Sequence, residues 1–149
     1  MIRFTKGSNC MRKTISCILC ALIIIANCAV PAHASMESNA YISIFGGQIT
    51  AKGNGVVHVD FNTWGTGVMD TIGAKYIRIY EDGHWVKTFS CYNPLYTASM
   101  VRTNHWFFYG GVDYQGTAGK TYYAEIVHYA EKDGGSGNQV LQTGSTIAT

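Results

Sequence analysis

Hydrophobic and polar residues alternate with a period of two along most of the chain after residue 40. No stretch of eleven or more residues there shows the 3.6-residue repeat of an amphipathic helix. The clearest alternation predicts a half-buried strand with Val57, Val59 and Phe61 facing the core. About seven short strands in one domain predict an all-β antiparallel sandwich. The predicted strands cover residues 41–45, 56–64, 75–81, 84–89, 105–114, 120–130 and 139–147.

Asp82-Gly83 separates two of these strands and predicts a β-hairpin, because both residues of such a tight turn need a positive φ. A two-residue turn also fixes the pairing, and with it Ile77, Ile79 and Val86 are expected to share the core face. We call the opposite side the hairpin face. It carries Tyr76, Arg78, Tyr80, Trp85, Lys87 and Phe89.

An exposed hairpin face would be a flat aromatic surface with cations between the rings. Such a surface suits stacking on sugar rings or burial against a protein partner. The predicted pairing of Arg78 with Lys87 makes an anionic ligand plausible, because like charges directly opposite destabilise a sheet. In the alternative interpretation this face is the inner one, and both cations reach past its edge to water.

Two glycine-containing segments are predicted to be loops. In residues 65–74, Met69 and Ile72 are expected to plug into the core, and Asp70 is expected to cap one helical turn. Residues 131–138 are polar and rich in glycine, and they predict a mobile loop. A calcium-binding loop is not expected, because the segment lacks the alternating acidic ligands of such a loop.

The first 34 residues resemble a targeting segment. Residues 15–30 form a mostly apolar run of sixteen that follows a basic pair at 12–13, shorter than the roughly 20 residues of a membrane span. Small residues at Ala32 and Ala34 predict cleavage before Ser35. We therefore expect a signal peptide over 1–34 and one secreted domain over 35–149, with no membrane span once the leader is removed.

Two further readings of this segment stay open. The leader is an uncleaved anchor in one of them. In the other, translation starts at Met11, which gives a leader of more usual length. Four of the five cysteines lie in the leader, so the remaining Cys91 has no partner for an intramolecular disulfide. A buried structural role is predicted for it.

Charge excludes one broad class of function. The whole chain has a formal charge of +2, but residues 35–149 hold seven basic and nine acidic side chains, a charge of −2. The positive balance belongs to the leader, so no nucleic-acid partner is expected.

Residues Gly119 to Ile126 carry a resemblance to a known fold family. Their pattern is similar to the Gly-x-x-Tyr-x-x-x-Val entry to the sixth strand of fibronectin type III and other immunoglobulin-like domains. Tyr122 matches the tyrosine whose hydroxyl bonds back to the preceding loop in that family. The resemblance implies an immunoglobulin-like β-sandwich and no particular function.

A second resemblance concerns Gly67 to Ala74, with a leader before it and Gly-Lys-Thr-Tyr after it. This combination resembles an uncharacterised family of small exported proteins from clostridia-like Gram-positive bacteria. It implies no activity and no catalytic residues.

The sequence offers no recognisable catalytic or metal-binding motif. The histidines of the mature chain lack metal-ligand spacing, and its carboxylates show no pairing suited to hydrolysis. Cys91 and His105 could form a nucleophile and base only if the fold brings them together. We therefore expect no enzyme, no metal and no cofactor.

The leading hypothesis is a secreted, monomeric binding module for a cell-envelope or extracellular glycan or protein. The alternative is a secreted structural or antagonistic protein that self-assembles or acts like a small toxin. Lysines near strand ends favour the monomer, because charge at sheet edges opposes edge-to-edge pairing. These lysines are Lys52, Lys75, Lys87 and Lys120.

Overall fold

The computed structural model of the chain describes residues 39–149. The predicted signal peptide, its cleavage between Ala34 and Ser35, and the alternative start at Met11 lie outside these residues. The described part is built almost entirely from antiparallel strands, which confirms the all-β prediction. Its helix has four residues, and nothing helical among residues 39–149 is long and apolar enough to cross a membrane.

Seven strands and one short helix follow one another along the described chain. They are β1 (Ile42–Gly53), β2 (Val56–Glu81), β3 (His84–Ser90), α1 (Thr97–Met100), β4 (Val101–Gln115), β5 (Thr121–Lys132), β6 (Gly135–Gln142) and β7 (Thr146–Ile147).

The 26-residue strand β2 organises the sheet. Its first half pairs with β1 and β4, and its second half pairs with β3 and β5. Strand β6 then pairs with β5 on the side away from β2, and β7 also pairs with β5. Because one strand belongs to both halves, the seven strands form a single curled sheet, a half-barrel.

The predicted loop at 65–74 is wrong, because this segment continues β2 through a bend. The pairing with β4 is interrupted between Trp64 and Met69 and then resumes. Gly73 fits here because its φ is +150°, and an added Cβ would lie 2.1 Å from the carbonyl oxygen of Met100. The predicted helical turn at Asp70 is also absent; its carboxylate accepts a hydrogen bond from the Asp133 amide at 2.8 Å.

Tight turns with positive φ close three of the hairpins. They are Asn54-Gly55, Asp82-Gly83 and Asp133-Gly134. The last of these makes residues 131–138 part of a β5–β6 hairpin rather than the predicted loop. Each pair places a residue that tolerates the left-handed region before a glycine, as such turns require.

The β2–β3 hairpin contains a β-bulge that the sequence did not predict. Tyr80 pairs with Trp85 as expected, but Ile79 pairs with Lys87 and leaves Val86 as an extra residue. The bulge turns Val86 outward, to 38% exposure, and places the Phe89 side chain in the core at 3% exposure. The predicted faces of β3 are therefore exchanged beyond Trp85.

The inner side of the curled sheet holds one hydrophobic core. The fully buried side chains there include Val57, Val59, Ile72, Ile77 and Ile79 of β2 and Ile126 of β5, and Phe61 and Met69 are buried with them. His128 and Thr63 are polar residues within the core.

Tyr122 joins β5 to the loop before it. Its hydroxyl accepts a hydrogen bond from the Thr117 amide at 2.7 Å and donates one to the Glu81 carboxylate. A Cβ at Gly116 would come within 2.6 Å of the ring, so the close approach requires glycine. The contact is of the kind that the tyrosine-corner resemblance implies, here within a single curled sheet.

The Asp82 turn is fastened to the same end of β5. The Asp82 carboxylate accepts hydrogen bonds from Lys120 Nζ at 2.8 Å and from the Thr121 amide at 3.1 Å. These hydrogen bonds lower the pKa of Asp82, with that from Lys120 the stronger cause.

Candidate functional site

The structure separates the six residues predicted for the hairpin face. The outer side of the sheet carries Tyr76, Arg78, Tyr80 and Trp85. The three β2 residues alternate with the buried Ile77 and Ile79, and Trp85 pairs with Tyr80 across the hairpin. Lys87 and Phe89 lie on the other side, because the bulge at Val86 reverses the alternation. Phe89 is a buried core residue, so its ring is not accessible to a ligand.

The outer residues of the hairpin face already have partners. Tyr80 stacks on Tyr123 with ring centroids 4.6 Å apart and planes at 3°. Arg78 lies opposite Thr88 rather than Lys87 and forms an ion pair with Glu125. The predicted pairing of Arg78 with Lys87 is therefore wrong. It gives no support for an anionic ligand at this face.

A second aromatic surface lies where β2 and β4 bend together. We call it the aromatic corner, and it consists of Trp64, Trp106, Phe107 and Tyr109. Trp64 pairs with Phe107 across the strands, and their rings stack at 5.4 Å. The Trp106 ring meets Trp64 edge-on at 4.9 Å and Phe107 at 4.8 Å. Tyr109 completes the cluster, 5.8 Å from Phe107.

Strand alternation explains why Trp64, Phe107 and Tyr109 face outward. In β2, residues 57–63 bury every second side chain, so Trp64 continues the outer row. In β4, Phe108 is buried against Phe61 with ring centroids 6.0 Å apart, which turns its neighbours Phe107 and Tyr109 to the outer side. A positive φ of 54° at Asn104 accompanies the bend just before the cluster.

Much of this apolar surface is open to solvent. Trp106 is 47% exposed and Tyr109 is 60% exposed. Ile44, which pairs with Trp64 from the β1 side, adds a further side chain at 56% exposure. Contiguous exposed apolar side chains of this kind mark interaction sites more often than isolated ones do.

A pocket of about 170 Å³ opens beside the aromatic corner. It is lined by Arg102, His105, Phe107, Phe108 and Tyr109. The Arg102 guanidinium lies 5.6 Å from the centre of the Phe108 ring, within cation–π range. The pocket therefore combines aromatic walls with a guanidinium and an imidazole.

Polar side chains continue the same outer surface away from the corner. Asn62 lies beside Tyr109 in the β2–β4 ladder, and Asp60 follows two residues earlier. Gln48 of β1 donates a hydrogen bond to the Asp60 carboxylate at 3.2 Å. We call Gln48, Asp60 and Asn62 the polar strip. It offers amide donors and carbonyl and carboxylate acceptors next to the rings.

An ion-pair network lies at the far end of the polar strip. Asp113 contacts His58 Nδ1 at 2.6 Å and Lys52 Nζ at 3.1 Å. Partial burial raises the pKa of Asp113, but the hydrogen bonds from His58 and Lys52 outweigh it and hold the pKa below its usual value. The network thus pairs charged side chains with one another on the sheet surface.

The residues considered for catalysis do not form a reactive pair. Cys91 is buried in the core, and burial raises the pKa of its thiol, which keeps it protonated. His105 lines the exposed pocket instead. Within residues 39–149, no group of three or more histidine, cysteine or acidic side chains could hold a metal ion.

Sequence reasoning missed the aromatic corner, although a signal was present. The outward phase of residues 58, 60 and 62 extends to Trp64, and the run 105–109 contains more large apolar residues than one strand face can bury. What the sequence could not supply is the pairing of β2 with β4 that brings them together.

Comparison with known proteins gave no match. No family model fits the sequence, and neither a curated protein nor a solved structure matches the chain.

Proposed function

We propose that this protein is a secreted, non-enzymatic module that binds an extracellular or cell-envelope glycan at the aromatic corner. The observation that carries the proposal is the cluster of Trp64, Trp106, Phe107 and Tyr109 on an open sheet surface. This site replaces the hairpin face as the location of binding, while the class of function is the one expected from the sequence.

The chemistry of the surface fits a sugar. Aromatic rings pack against the apolar faces of pyranose rings, and they lose little conformational entropy when they do so. Hydroxyl groups around the sugar edge need both donors and acceptors, which the polar strip provides beside Tyr109. A rigid sheet holds these groups at fixed spacing, which lowers the entropy lost on binding.

The cellular setting is part of the proposal. The leader at 1–34 supports export, and the absence of a recognised nucleophile–base pair among the described residues leaves binding as the simplest role. The immunoglobulin-like interpretation of the fold also stays a proposal, supported by the hydrogen bond from the Thr117 amide to Tyr122. The Gram-positive resemblance stays a prediction.

Self-assembly as a structural or antagonistic protein is the competing function. The bulge at Val86 and the exposed Lys87 interrupt the free edge of β3, which disfavours edge-to-edge pairing. We therefore propose a monomer. Size-exclusion chromatography of the purified protein distinguishes the two, since assembly predicts concentration-dependent oligomers.

Retention on polysaccharides tests the binding function. The protein is incubated with bacterial cell walls and with a panel of insoluble and immobilised glycans, beside the variants Trp106→Ala and Trp85→Ala. We expect Trp106→Ala to lower the affinity by about tenfold or more, because aromatic side chains dominate such contacts. Trp85→Ala removes a tryptophan that is more exposed than Trp106, at 62% against 47%, from the hairpin face and is expected to bind like the native protein.

Circular dichroism establishes that both variants are folded. Retention of the native protein on none of the walls or glycans would contradict the proposed function. Loss of binding in Trp85→Ala alone would return the site to the hairpin face.

A further inference from the structure

We infer that the glycan recognised at the aromatic corner carries a carboxylate, so that its sugar unit is a uronic acid or a similar acidic pyranose. The inference rests on the proposed function and deepens it. It is carried by the pocket that Arg102 and His105 share with Phe107 and Tyr109.

Arg102 differs from the cations that serve the fold. Lys52, Arg78 and Lys120 each form an ion pair with a carboxylate of another strand or turn. Arg102 takes part in none of the ion pairs formed within residues 39–149, and its side chain is exposed at the pocket. Its guanidinium is permanently charged and presents a planar fork of donors.

The lining of the pocket is complementary to an anion. Arg102 and His105 supply N–H donors, and no acidic side chain lines the pocket. The remaining lining groups are aromatic rings, so the charge faces low-polarity walls where electrostatic attraction is screened less than in open water. A guanidinium fork binds a planar carboxylate through two parallel hydrogen bonds.

Size and position favour one acidic sugar unit rather than a large anion. The pocket volume of about 170 Å³ is below the range of drug-sized ligand sites, so it admits a single ring or substituent. Phe107 and Tyr109 belong both to the pocket lining and to the aromatic corner. The pocket therefore adjoins the aromatic corner, and we expect a glycan bound at the corner to place an acidic unit in it.

The hairpin face makes the contrast clear. Arg78, two residues from Tyr80 on this face, is already neutralised by Glu125, and Trp85 Nε1 donates to Thr88 Oγ1 at 3.0 Å. Lys87, the other cation predicted for this face, lies on the opposite side of β3 from Trp85, whereas Arg102 lines a pocket together with aromatic rings. Charge complementarity selects an acidic ligand there.

A pair of polymers that differ only in charge tests the inference. Polygalacturonate carries a carboxylate on each sugar, and its fully methyl-esterified form has the same backbone without the charges. We expect the 149-residue protein to bind polygalacturonate at least about tenfold more tightly than the ester, because hydrogen bonds to a charged group are stronger than those to a neutral one. Raising the salt concentration should weaken only the first interaction.

Three variants assign the effect to the pocket. Arg102→Gln should reduce the affinity for polygalacturonate about tenfold or more and leave binding of the ester unchanged. Arg102→Lys keeps the charge but loses the fork, so an intermediate affinity is expected. Lys87→Gln removes one exposed positive charge elsewhere and serves as the matched control, with native affinity expected.

Equal affinity for the two polymers, or native affinity in Arg102→Gln, would overturn the inference. Binding of only neutral glycans, such as cellulose or chitin, would do the same while leaving the glycan-binding function intact. Binding of a phosphate-bearing wall polymer without binding of polygalacturonate would overturn the assignment to a carboxylate. Failure to bind every glycan would remove the proposed function as well.

Discussion

A single buried histidine shows how local hydrogen bonds determine a protonation state. Thr63 Oγ1 donates its proton to the Gly73 carbonyl oxygen at 3.0 Å, so it can only accept from His128 Nδ1, which lies 2.8 Å away. The His128 proton is therefore on Nδ1. Its Nε2 faces the core with no hydrogen-bond partner among the described residues.

The surroundings of His128 oppose a positive charge. The ring packs against Phe45 and Phe61 at centroid distances of 5.1 and 6.0 Å, and no carboxylate pairs with it among the described residues. Burial accordingly lowers the pKa of His128 to about 4. In the unfolded chain the same imidazole titrates near 6.5.

This difference predicts a loss of stability in mild acid. Between pH 6.5 and 4 the unfolded chain takes up a proton at His128 that the folded protein does not, so the free energy of unfolding falls. From pH 7 to pH 4.5 we expect this residue to contribute a loss of about 2.5 kcal/mol. Urea unfolding at the two pH values measures it.

Two variants isolate the effect of His128 from that of the carboxylates. His128→Gln should show a smaller drop between pH 7 and pH 4.5, by about the amount given above. His84→Gln removes an exposed histidine and should keep the full drop. An equal drop in the native protein and in His128→Gln would contradict the assigned protonation state.

At the scale of elements, the β2–β3 hairpin shows which features are local. The Asp82-Gly83 turn could be predicted because its requirement for positive φ is met by two adjacent residues. The bulge at Val86 could not. Val86 and Phe89 are both apolar, so the sequence does not show which of the two is buried. That depends on contacts with residues outside the hairpin, including the Tyr96 ring at 4.9 Å from Phe89.

The bulge predicts an asymmetry between two substitutions. Phe89→Ala should lower the free energy of unfolding by about 3–5 kcal/mol, as is usual for a buried aromatic side chain. Val86→Ala should cost less than about 1 kcal/mol, because the side chain is at the surface. Chemical denaturation of both variants tests the register. A larger loss for Val86→Ala would indicate the unbulged pairing expected from the sequence.

Strand β2 illustrates a different limit of sequence reasoning. The alternation over 56–64 and 75–81 correctly identified its two halves, but the glycines of 65–74 concealed their continuity. Gly73 is needed there for the close approach of Met100, not for a loop. Glycine in a strand can mark a crossing of backbones as well as a turn.

At the scale of the whole molecule, the candidate site follows from the curled sheet. Pairing of β2 with β4 brings Trp64 to residues 106–109, which are more than forty positions away in the sequence. The composition shows that aromatic residues are abundant, yet only this pairing decides which of them cluster at the surface. The sequence therefore could not predict the aromatic corner, because the pairing that forms it joins distant segments.

The three tryptophans of the chain allow one measurement to test the central claim, that ligand binds at the aromatic corner. Trp64 and Trp106 belong to the corner, and Trp85 lies on the hairpin face. In ¹⁵N-labelled protein each indole N–H gives its own NMR signal. Titration with oligogalacturonate, and in parallel with soluble fragments of any glycan that retains the protein, follows all three signals at once.

We predict that the signals of Trp64 and Trp106 shift in a saturable way while that of Trp85 stays in place. A shift confined to Trp85, or no shift at saturating concentrations of every fragment, would contradict the account.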